Sequence, residues 1–197
     1  MRTLGVIVAG GRSSRMGREK AVETLRGRTI LSRIVSVLAP QLDEIVINAN
    51  GDASRFSATG LSVIADVRPE VGTPLAGLHT ALVLGKAKGC DAVLTVPSDG
   101  PFLPADLVAR LRAAKEEAAI AASGGQAHYL TGLWPPGLLW KIERALAQPR
   151  FPRLQDWARD CEAAIVEWPS QPYDPFVNVN TPEELAEAER IAAEFGL

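Results

Sequence analysis

A chain of 197 residues, of which 47% are hydrophobic and 22% charged, has the size and composition of one globular domain that buries a core. Its formal net charge of −2 gives no support for non-specific binding to nucleic acid or to a membrane surface, and no apolar run reaches the roughly 20 residues that span a bilayer. The two cysteines, Cys90 and Cys161, form neither a metal-ligand spacing nor a disulfide framework, and the start of the chain lacks signal-peptide features, so we expect a cytoplasmic protein.

The first predicted strand leads into a loop rich in glycine and basic residues. Leu4 to Ala9 are mostly apolar and β-branched, which favours a buried strand. Gly10 and Gly11 follow, and then come Arg12, Arg15, Arg18 and Lys20. Glycines at a strand end let backbone N–H groups approach an anion, and arginine and lysine suit phosphate oxygens. The alternative is a tight turn with solvated arginines. The loop has neither the G-x-G-x-x-G nor the P-loop spacing, so it predicts a phosphate site of another kind.

Strands and helices alternate along the rest of the chain. After a short strand and turn at 23–27, the patterns predict strands at 44–48, 61–65, 92–96, 118–122, 128–134 and 164–168. They predict helices at 30–38, 75–84, 104–114, 137–147 and 154–159, and a last one capped by Thr181. This order predicts an α/β fold of Rossmann-like type, a three-layer α/β/α sandwich around a mostly parallel sheet, in one domain spanning 1–197.

Polar residues follow several of the predicted strands. Gly10, Asn48, Asp66 and Asp99 each stand at the carboxyl end of a different strand. Ligands bind beyond the carboxyl ends of parallel strands, so we expect these residues to converge on one edge of the sheet. A carboxylate in that position, Asp99 above all, suits Mg²⁺ as a hard oxygen ligand. The alternative for both aspartates is a turn or a helix cap.

Two asparagines near the carboxyl terminus alternate with apolar residues. The pattern predicts that Asn178 and Asn180 share one face of a short strand. Thr181 caps the following helix, which leaves the two amides for a ligand or for the outer shell of a metal.

The histidines and tryptophans offer weaker signals. His79 lies in a helix pattern and is expected to be packed or on the surface, and His128 lies in a strand with no carboxylate partner recognisable in the sequence. Trp134 ends a strand and is a candidate contact for a flat ligand, whereas most of the other tryptophans are expected in the core. No Ser/His/Asp or Cys/His arrangement stands out, so covalent nucleophilic catalysis is not expected.

Six stretches together resemble the molybdenum cofactor guanylyltransferase family. The opening VAGGRSSRMGREK resembles the signature L-A-G-G-x-x-x-R-M-G-x-x-K of nucleotidyltransferases with the nucleotide-diphospho-sugar transferase fold. The narrower resemblance rests on INAN (47–50), VIAD (63–66), TPLAG (73–77), VPSDGPFLP (96–104) and FVNVNTPEEL (176–185). Val8 stands where leucine is usual, and Ser98 and Gly100 alter the flanks of Asp99. Residues 123–155 match only weakly, so no substrate contacts are carried over there.

The resemblance implies an enzyme that transfers GMP from GTP to the phosphate of molybdopterin and releases pyrophosphate, with Mg²⁺ or alternatively Mn²⁺. It implies that about 1–110 carry the GTP and metal site and about 111–197 the molybdopterin side. The implied nucleotide contacts are Val8, Ala9, Gly10, Gly11, Lys20, Asn48, Asp66 and Asp99. The implied catalytic residues are Arg15, Lys20 and Asp99, with Asp99 as metal ligand, and the implied molybdopterin side includes Asn178 and Asn180. A molybdenum-insertion protein and molybdoenzyme apoproteins are the implied protein partners.

Two other interpretations stay open at this point. One is an enzyme of the same fold that uses another nucleotide, such as a molybdopterin cytidylyltransferase or a sugar-phosphate nucleotidyltransferase. The other is a non-catalytic module that binds a nucleotide or cofactor. The presence of both Lys20 and Asp99 favours an enzyme.

Overall fold

A computed structural model of the chain describes residues 1–9 and 23–197. The predicted phosphate loop falls on residues 10–22 and therefore lies outside the described residues. The roles expected for Gly10, Gly11, Arg15 and Lys20 stay predictions.

A seven-stranded sheet forms the middle layer of the protein. The strands in chain order are β1 (Thr3–Val8), β2 (Thr24–Leu25), β3 (Arg28–Thr29), β4 (Glu44–Asn48), β5 (Ser62–Ile64), β6 (Ala92–Pro97), β7 (Ala119–Ser123), β8 (Gln126–Trp134) and β9 (Ala164–Trp168). Their order across the sheet is β5-β4-β1-β6-β8-β7-β9, and β2 pairs with β3 in a separate antiparallel hairpin. Every pairing in the large sheet is parallel except those of β8, which runs antiparallel to β6 and β7.

Helices cover both faces of this sheet. They are α1 (Ile30–Leu38), α2 (Pro74–Ala87), α3 (Leu107–Arg112), α4 (Leu139–Leu146), α5 (Leu154–Asp160) and α6 (Pro182–Phe195). One buried cluster joins α1, α3 and α6 to the sheet, and another joins α2, α4 and α5 to it. The predicted three-layer α/β/α sandwich with a mostly parallel sheet is confirmed. None of the described helices has the combination of length and apolarity that a membrane span requires.

Local signals in the sequence explain where several helices begin. Thr29 caps α1, where its hydroxyl oxygen accepts a hydrogen bond from Ser32 N at 3.1 Å. Thr181 and Glu184 form the reciprocal capping box of α6, with Pro182 at the first helical position. The prediction for α3 was too long, because residues 104–106 form a turn and helical residues begin only at Leu107.

Two glycines let α2 lie close against the sheet. A Cβ atom added at Gly77 would stand 2.7 Å from Val8 Cγ1 and 2.8 Å from Asn48 Oδ1, and one at Gly85 would collide with Val93 Cγ2. A side chain at either position would push the helix away from the strands. Gly77 therefore determines how closely the first turn of α2 approaches the carboxyl ends of β1 and β4.

The two edge strands of the sheet are short. β5 has three residues, and β9 has five, with Ile165 64% exposed. Arg110 from α3 donates a hydrogen bond to the carbonyl oxygen of Glu167 at 2.5 Å and lies 4.2 Å from the ring centre of Trp168. The Glu167 carboxylate in turn accepts a hydrogen bond from Gly125 N at 3.1 Å. The Arg110 side chain and the Gly125 backbone therefore bind the end of β9.

Candidate functional site

Asn48 and Asp66 meet at the carboxyl ends of β4 and β5, as the sequence predicts. Asn48 is buried at the end of β4, and its Nδ2 donates to Asp66 Oδ1 at 2.9 Å and to Ile64 O at 3.2 Å. Asn50 donates from Nδ2 to the other carboxylate oxygen, Asp66 Oδ2, at 2.7 Å and accepts from Asp66 N at 2.9 Å. Two amide donors therefore hold the Asp66 carboxylate in one orientation. Sequence reasoning placed Asn50 in a polar loop without giving it this role.

A cavity of about 530 Å³ opens over these residues. Val8 at the end of β1 and the following Ala9 line one side, and Thr73, Pro74 and Gly77 at the start of α2 line another. Within the described part of the chain no group donates a hydrogen bond to Asn48 Oδ1, although this atom is buried. A buried acceptor of this kind needs a donor, and a ligand or a neighbouring backbone N–H can supply it. The volume suits a ligand of nucleotide size.

The backbone of Ala9 has one hydrogen-bonding group already in use. Ala9 N donates to Asn48 O at 2.8 Å and so extends the β1–β4 pairing by one residue. Residues 10–22 continue directly from Ala9, at the end of a central strand.

A second cavity, of about 320 Å³, lies on the other side of the β1 end. Val8 and Pro97 are paired neighbours in the sheet, and Asp99 follows two residues after Pro97. Asp99 and Asn178 both line this cavity, as do residues 126–131 of β8 and Phe176. Val179 N donates to Asp99 O at 2.9 Å, which attaches the segment 176–180 to the loop after β6. The structure thus brings Asp99 and Asn178 to one cavity.

The predicted strand at 176–180 does not form. Within residues 1–9 and 23–197 they pair with no strand, and Val179 N donates instead to the loop carbonyl of Asp99. Asn178 is exposed in the second cavity, whereas Asn180 leads into α6 and its backbone N donates to Glu184 Oε2 at 2.5 Å. The two asparagines therefore do not share one face of a strand, and only Asn178 is among the residues that line the second cavity.

His128 has a carboxylate partner that the sequence did not reveal. Its Nε2 lies 2.7 Å from Ser123 Oγ, and this hydroxyl donates to Asp174 Oδ1 at 2.7 Å. Phe176 N also donates to Asp174 Oδ1, at 2.9 Å. Burial lowers the pKa of His128, while the charges of Asp174 and then Glu167 act in the opposite direction. Asp174 lies in a proline-rich connection, where no local pattern signals a partner for a strand residue 46 positions away.

This Asp174–Ser123–His128 chain is not arranged for nucleophilic catalysis. Ser123 is buried and stands between the two other residues, with its only hydrogen given to Asp174.

Two of the weaker sequence signals belong to the core. His79 is buried in α2, which is one of the two environments expected for it, and burial lowers the pKa of its imidazole. The expectation that Trp134 contacts a flat ligand is wrong. Its ring is fully buried against Trp157, with centroids 5.3 Å apart, and its Nε1 donates to Thr95 Oγ1 at 2.9 Å. Trp140, in contrast, is 61% exposed.

Among the described residues that line the second cavity, Asp99 is the one that offers a carboxylate to a metal. Among residues 1–9 and 23–197 no group of three or more His, Cys, Asp and Glu side chains is close enough to hold a metal. A single carboxylate supplies a small share of a metal's ligand shell. It fits Mg²⁺, which commonly takes one or two protein carboxylates and completes its shell with water and substrate phosphates. Asp99 is suited to be such a carboxylate ligand.

The chain is similar in sequence to known proteins along nearly its whole length. Residues 5–164 match the family model of the MobA-like NTP transferase domain. A molybdenum cofactor guanylyltransferase from Nitrobacter hamburgensis is 44% identical over 97% of this chain and 95% of its own length. One from Rhodopseudomonas palustris is 45% identical over 96% of this chain and 94% of its own length.

A solved structure shares the fold. The crystal structure of molybdopterin-guanine dinucleotide biosynthesis protein A from Archaeoglobus fulgidus has a TM-score of 0.73 and 21% identity, and the match covers 98% of this chain and 99% of that one. The identity is low, so this likeness concerns the path of the backbone.

Proposed function

The chain belongs to the MobA-like NTP transferase family, and we propose that it is a molybdenum cofactor guanylyltransferase. The reaction is the transfer of GMP from GTP to the phosphate of molybdopterin, with release of pyrophosphate. The observation that carries the proposal is the match, at 44–45% identity over nearly the whole chain, to relatives of that name. The two cavities on either side of the β1 end support it, because the reaction needs two substrates side by side.

The two cavities take different substrates in this proposal. The cavity with Asn48 and Asp66 receives the guanosine part of GTP, where the oriented Asp66 carboxylate accepts hydrogen bonds from N–H or O–H groups. The cavity with Asp99 and Asn178 receives molybdopterin. The reacting phosphates then meet near the paired residues Val8 and Pro97, between the cavities. Transfer between two bound groups is accelerated mainly by holding them in line.

The attacking phosphate of molybdopterin is already an anion, so the proposal requires no general base. The active site must instead bring two anions together and balance the negative charge of the leaving pyrophosphate. The loop at 10–22 continues from Ala9 and carries Gly10, Gly11, Arg15 and Lys20, the residues proposed to bind the phosphates. The lysine and the arginine supply positive charge, and the glycine backbone supplies N–H donors.

Asp99 is the residue proposed to hold Mg²⁺, or alternatively Mn²⁺. When bound there, the ion would neutralise negative charge on the GTP phosphates. The molybdopterin side is proposed to include Asn178, which lines the second cavity, and Asn180, two residues further along the chain.

The proposal assigns the nucleotide side to about residues 1–110 and the acceptor side to about residues 111–197 of one domain. A single buried cluster contains residues from both parts, among them Ile7, Leu94, Val179 and Ile191. The family resemblance supports a molybdenum-insertion protein and molybdoenzyme apoproteins as partners, in the cytoplasm.

The test is to incubate the purified protein with Mg²⁺, molybdopterin and each NTP labelled at the α-phosphate. We expect a labelled dinucleotide with GTP, and none when molybdopterin is omitted or the metal is chelated. A product that forms with CTP and not with GTP would overturn the choice of base. Saturable GTP binding without product from any NTP would overturn the enzyme assignment and favour a non-catalytic binding module.

A further inference from the structure

The buried chain of Asp174, Ser123 and His128 lies against the acceptor cavity and has no part in the function proposed above. Ser123 is at the end of β7, His128 is in β8, and Asp174 comes from the connection after β9. Three separate segments therefore converge to orient one imidazole ring. His128 itself lines the cavity together with Asp99 and Asn178.

The position of each proton follows from the hydrogen bonds. A serine hydroxyl has one hydrogen, and Ser123 gives it to the Asp174 carboxylate at 2.7 Å. The 2.7 Å contact between Ser123 Oγ and His128 Nε2 must then be donated by the imidazole. In a neutral ring the proton is on Nε2, and Nδ1 presents a lone pair. No hydrogen bond among the described residues uses Nδ1.

The surroundings favour this neutral ring. Burial lowers the pKa of His128, and this effect outweighs the charges of Asp174 and Glu167, which act to raise it. Phe176 packs on the imidazole with ring centroids 4.9 Å apart, and Trp168 packs on Phe176 with centroids 5.4 Å apart. The ring is thus held by a hydrogen bond at one edge and an aromatic contact on one face.

An irregularity in the sheet opens space beside the ring. The β7–β8 pairing passes from Ile120–Gly132 directly to Ala121–His128, so residues 129–131 of β8 have no partner on β7. All three of these residues line the cavity. Bulges of this kind redirect side chains and are frequent next to binding sites.

We propose that His128 determines acceptor specificity, with Nδ1 accepting a hydrogen bond from an N–H group of the pterin ring of molybdopterin. This inference rests on the proposed function, since the pterin is the acceptor named there. A pterin carries ring N–H and amino donors at its edge, and a fixed lone pair selects a ring that presents a donor at that point. A site built on such a contact loses much of its binding when the contact cannot form.

Two substitutions of the ring separate the hydrogen bond from the packing. His128→Phe keeps a ring against Phe176 and removes the acceptor, whereas His128→Asn places Oδ1 close to the position of Nδ1. We expect His128→Phe to raise the KM for molybdopterin roughly tenfold to a hundredfold. His128→Asn should recover most of that loss. Neither change should alter the KM for GTP by more than about twofold, because the ring is outside the nucleotide cavity.

Ser123→Ala is a milder third variant that keeps the imidazole and removes its anchor. We expect it to raise the KM for molybdopterin by a smaller factor than His128→Phe does. Equilibrium binding of molybdopterin, measured without GTP, and thermal unfolding of each variant complete the set. If either His128 variant does not fold, Ser123→Ala takes its place in the comparison. The proposal then requires that Ser123→Ala weakens the binding of molybdopterin.

The outcomes for this inference and for the proposed function are separate. Absence of a guanylylated product from the unaltered protein would refute the function, whatever the variants do. An active unaltered protein whose His128→Phe variant has a KM for molybdopterin within twofold of the original would refute the role of His128. Equal losses in His128→Phe and His128→Asn would also refute it, since both variants would then report only a structural effect.

Discussion

Gly77 offers a direct test of how α2 shapes the nucleotide cavity. In Gly77→Ala the new methyl group would lie 2.7 Å from Val8 Cγ1 and 2.8 Å from Asn48 Oδ1. Both neighbours are buried at strand ends, so neither can move away freely. The helix must therefore shift outward by a few tenths of an ångström or more, and its first turn forms part of the cavity wall.

The size of the effect follows from this crowding. Overpacking in a closely packed core costs about 1–3 kcal/mol, and the better helix propensity of alanine returns up to about 1 kcal/mol of it. A net loss of about 1–2 kcal/mol corresponds to a fall in melting temperature of roughly 2–8 °C for a chain of this size. GTP affinity should fall as well, by roughly tenfold, because the new methyl group crowds the buried amide of Asn48 and the outward shift of α2 changes the shape of the cavity wall.

Gly85→Ala is the matched control for this experiment. It lies in the same helix, and its methyl group would crowd Val93, but Gly85 is not among the residues that line the cavity. Thermal unfolding and calorimetric titration with GTP should show both variants destabilised and only Gly77→Ala weakened in binding. Unchanged GTP affinity in Gly77→Ala, with the expected destabilisation in both, would refute the placement of GTP in this cavity.

Three further substitutions test other parts of the proposal. Asp99→Asn should lower kcat about 10²–10³-fold with an unchanged melting temperature, and normal Mg²⁺-dependent turnover would show that Asp99 does not hold the metal. Asp66→Asn turns one carboxylate oxygen into an N–H donor that faces the amide of Asn48 or Asn50. The free energy of GTP binding, measured by calorimetry, should therefore weaken by about 1–3 kcal/mol. A Kd for GTP within twofold of the original would contradict the assignment of Asp66. Trp134→Phe removes the hydrogen bond to Thr95. The free energy of unfolding, measured with denaturant, should fall by about 1–3 kcal/mol while kcat stays unchanged. A lower kcat in a fully folded variant would indicate that this ring contacts a ligand after all.

Much of the fold can be read from local patterns because those patterns follow burial. β4 and β9 were predicted at their observed ends, since the apolar centre of β4 is flanked by Glu44 and Asn48 and β9 is followed by Pro169. Thr29 and Thr181 located the starts of α1 and α6, because capping is a local interaction. The segment 176–180 alternates like a strand but has no neighbour to pair with, and pairing depends on distant residues. The direction of β8 is likewise a property of the whole sheet.

The residues of the candidate site likewise include some that could be predicted from the sequence and others that could not. Asn48, Asp66 and Asp99 could be predicted because the carboxyl ends of parallel strands share an edge, a rule that needs only element order. The link from His128 to Asp174 through Ser123 could not, because it joins three segments and has no fixed spacing in the chain. The prediction that Trp134 contacts a ligand was wrong for a related reason. Its place at the end of a strand suggested the ligand edge, but β8 runs in the opposite direction and carries Trp134 to the far end of the sheet.

An open sheet leaves two strands with unpaired backbone groups, and such edges are where chains associate into aggregates. Here the exposed edge is brief on both sides, three residues in β5 and five in β9. At β9 the hydrogen bond from Arg110 to Glu167, together with the charge of the Glu167 side chain, opposes the approach of a foreign strand. Ile165 is the apolar residue exposed there, flanked two positions on by that acidic group. The protein can thus keep a wide sheet for two substrates and still resist strand-to-strand association at high concentration.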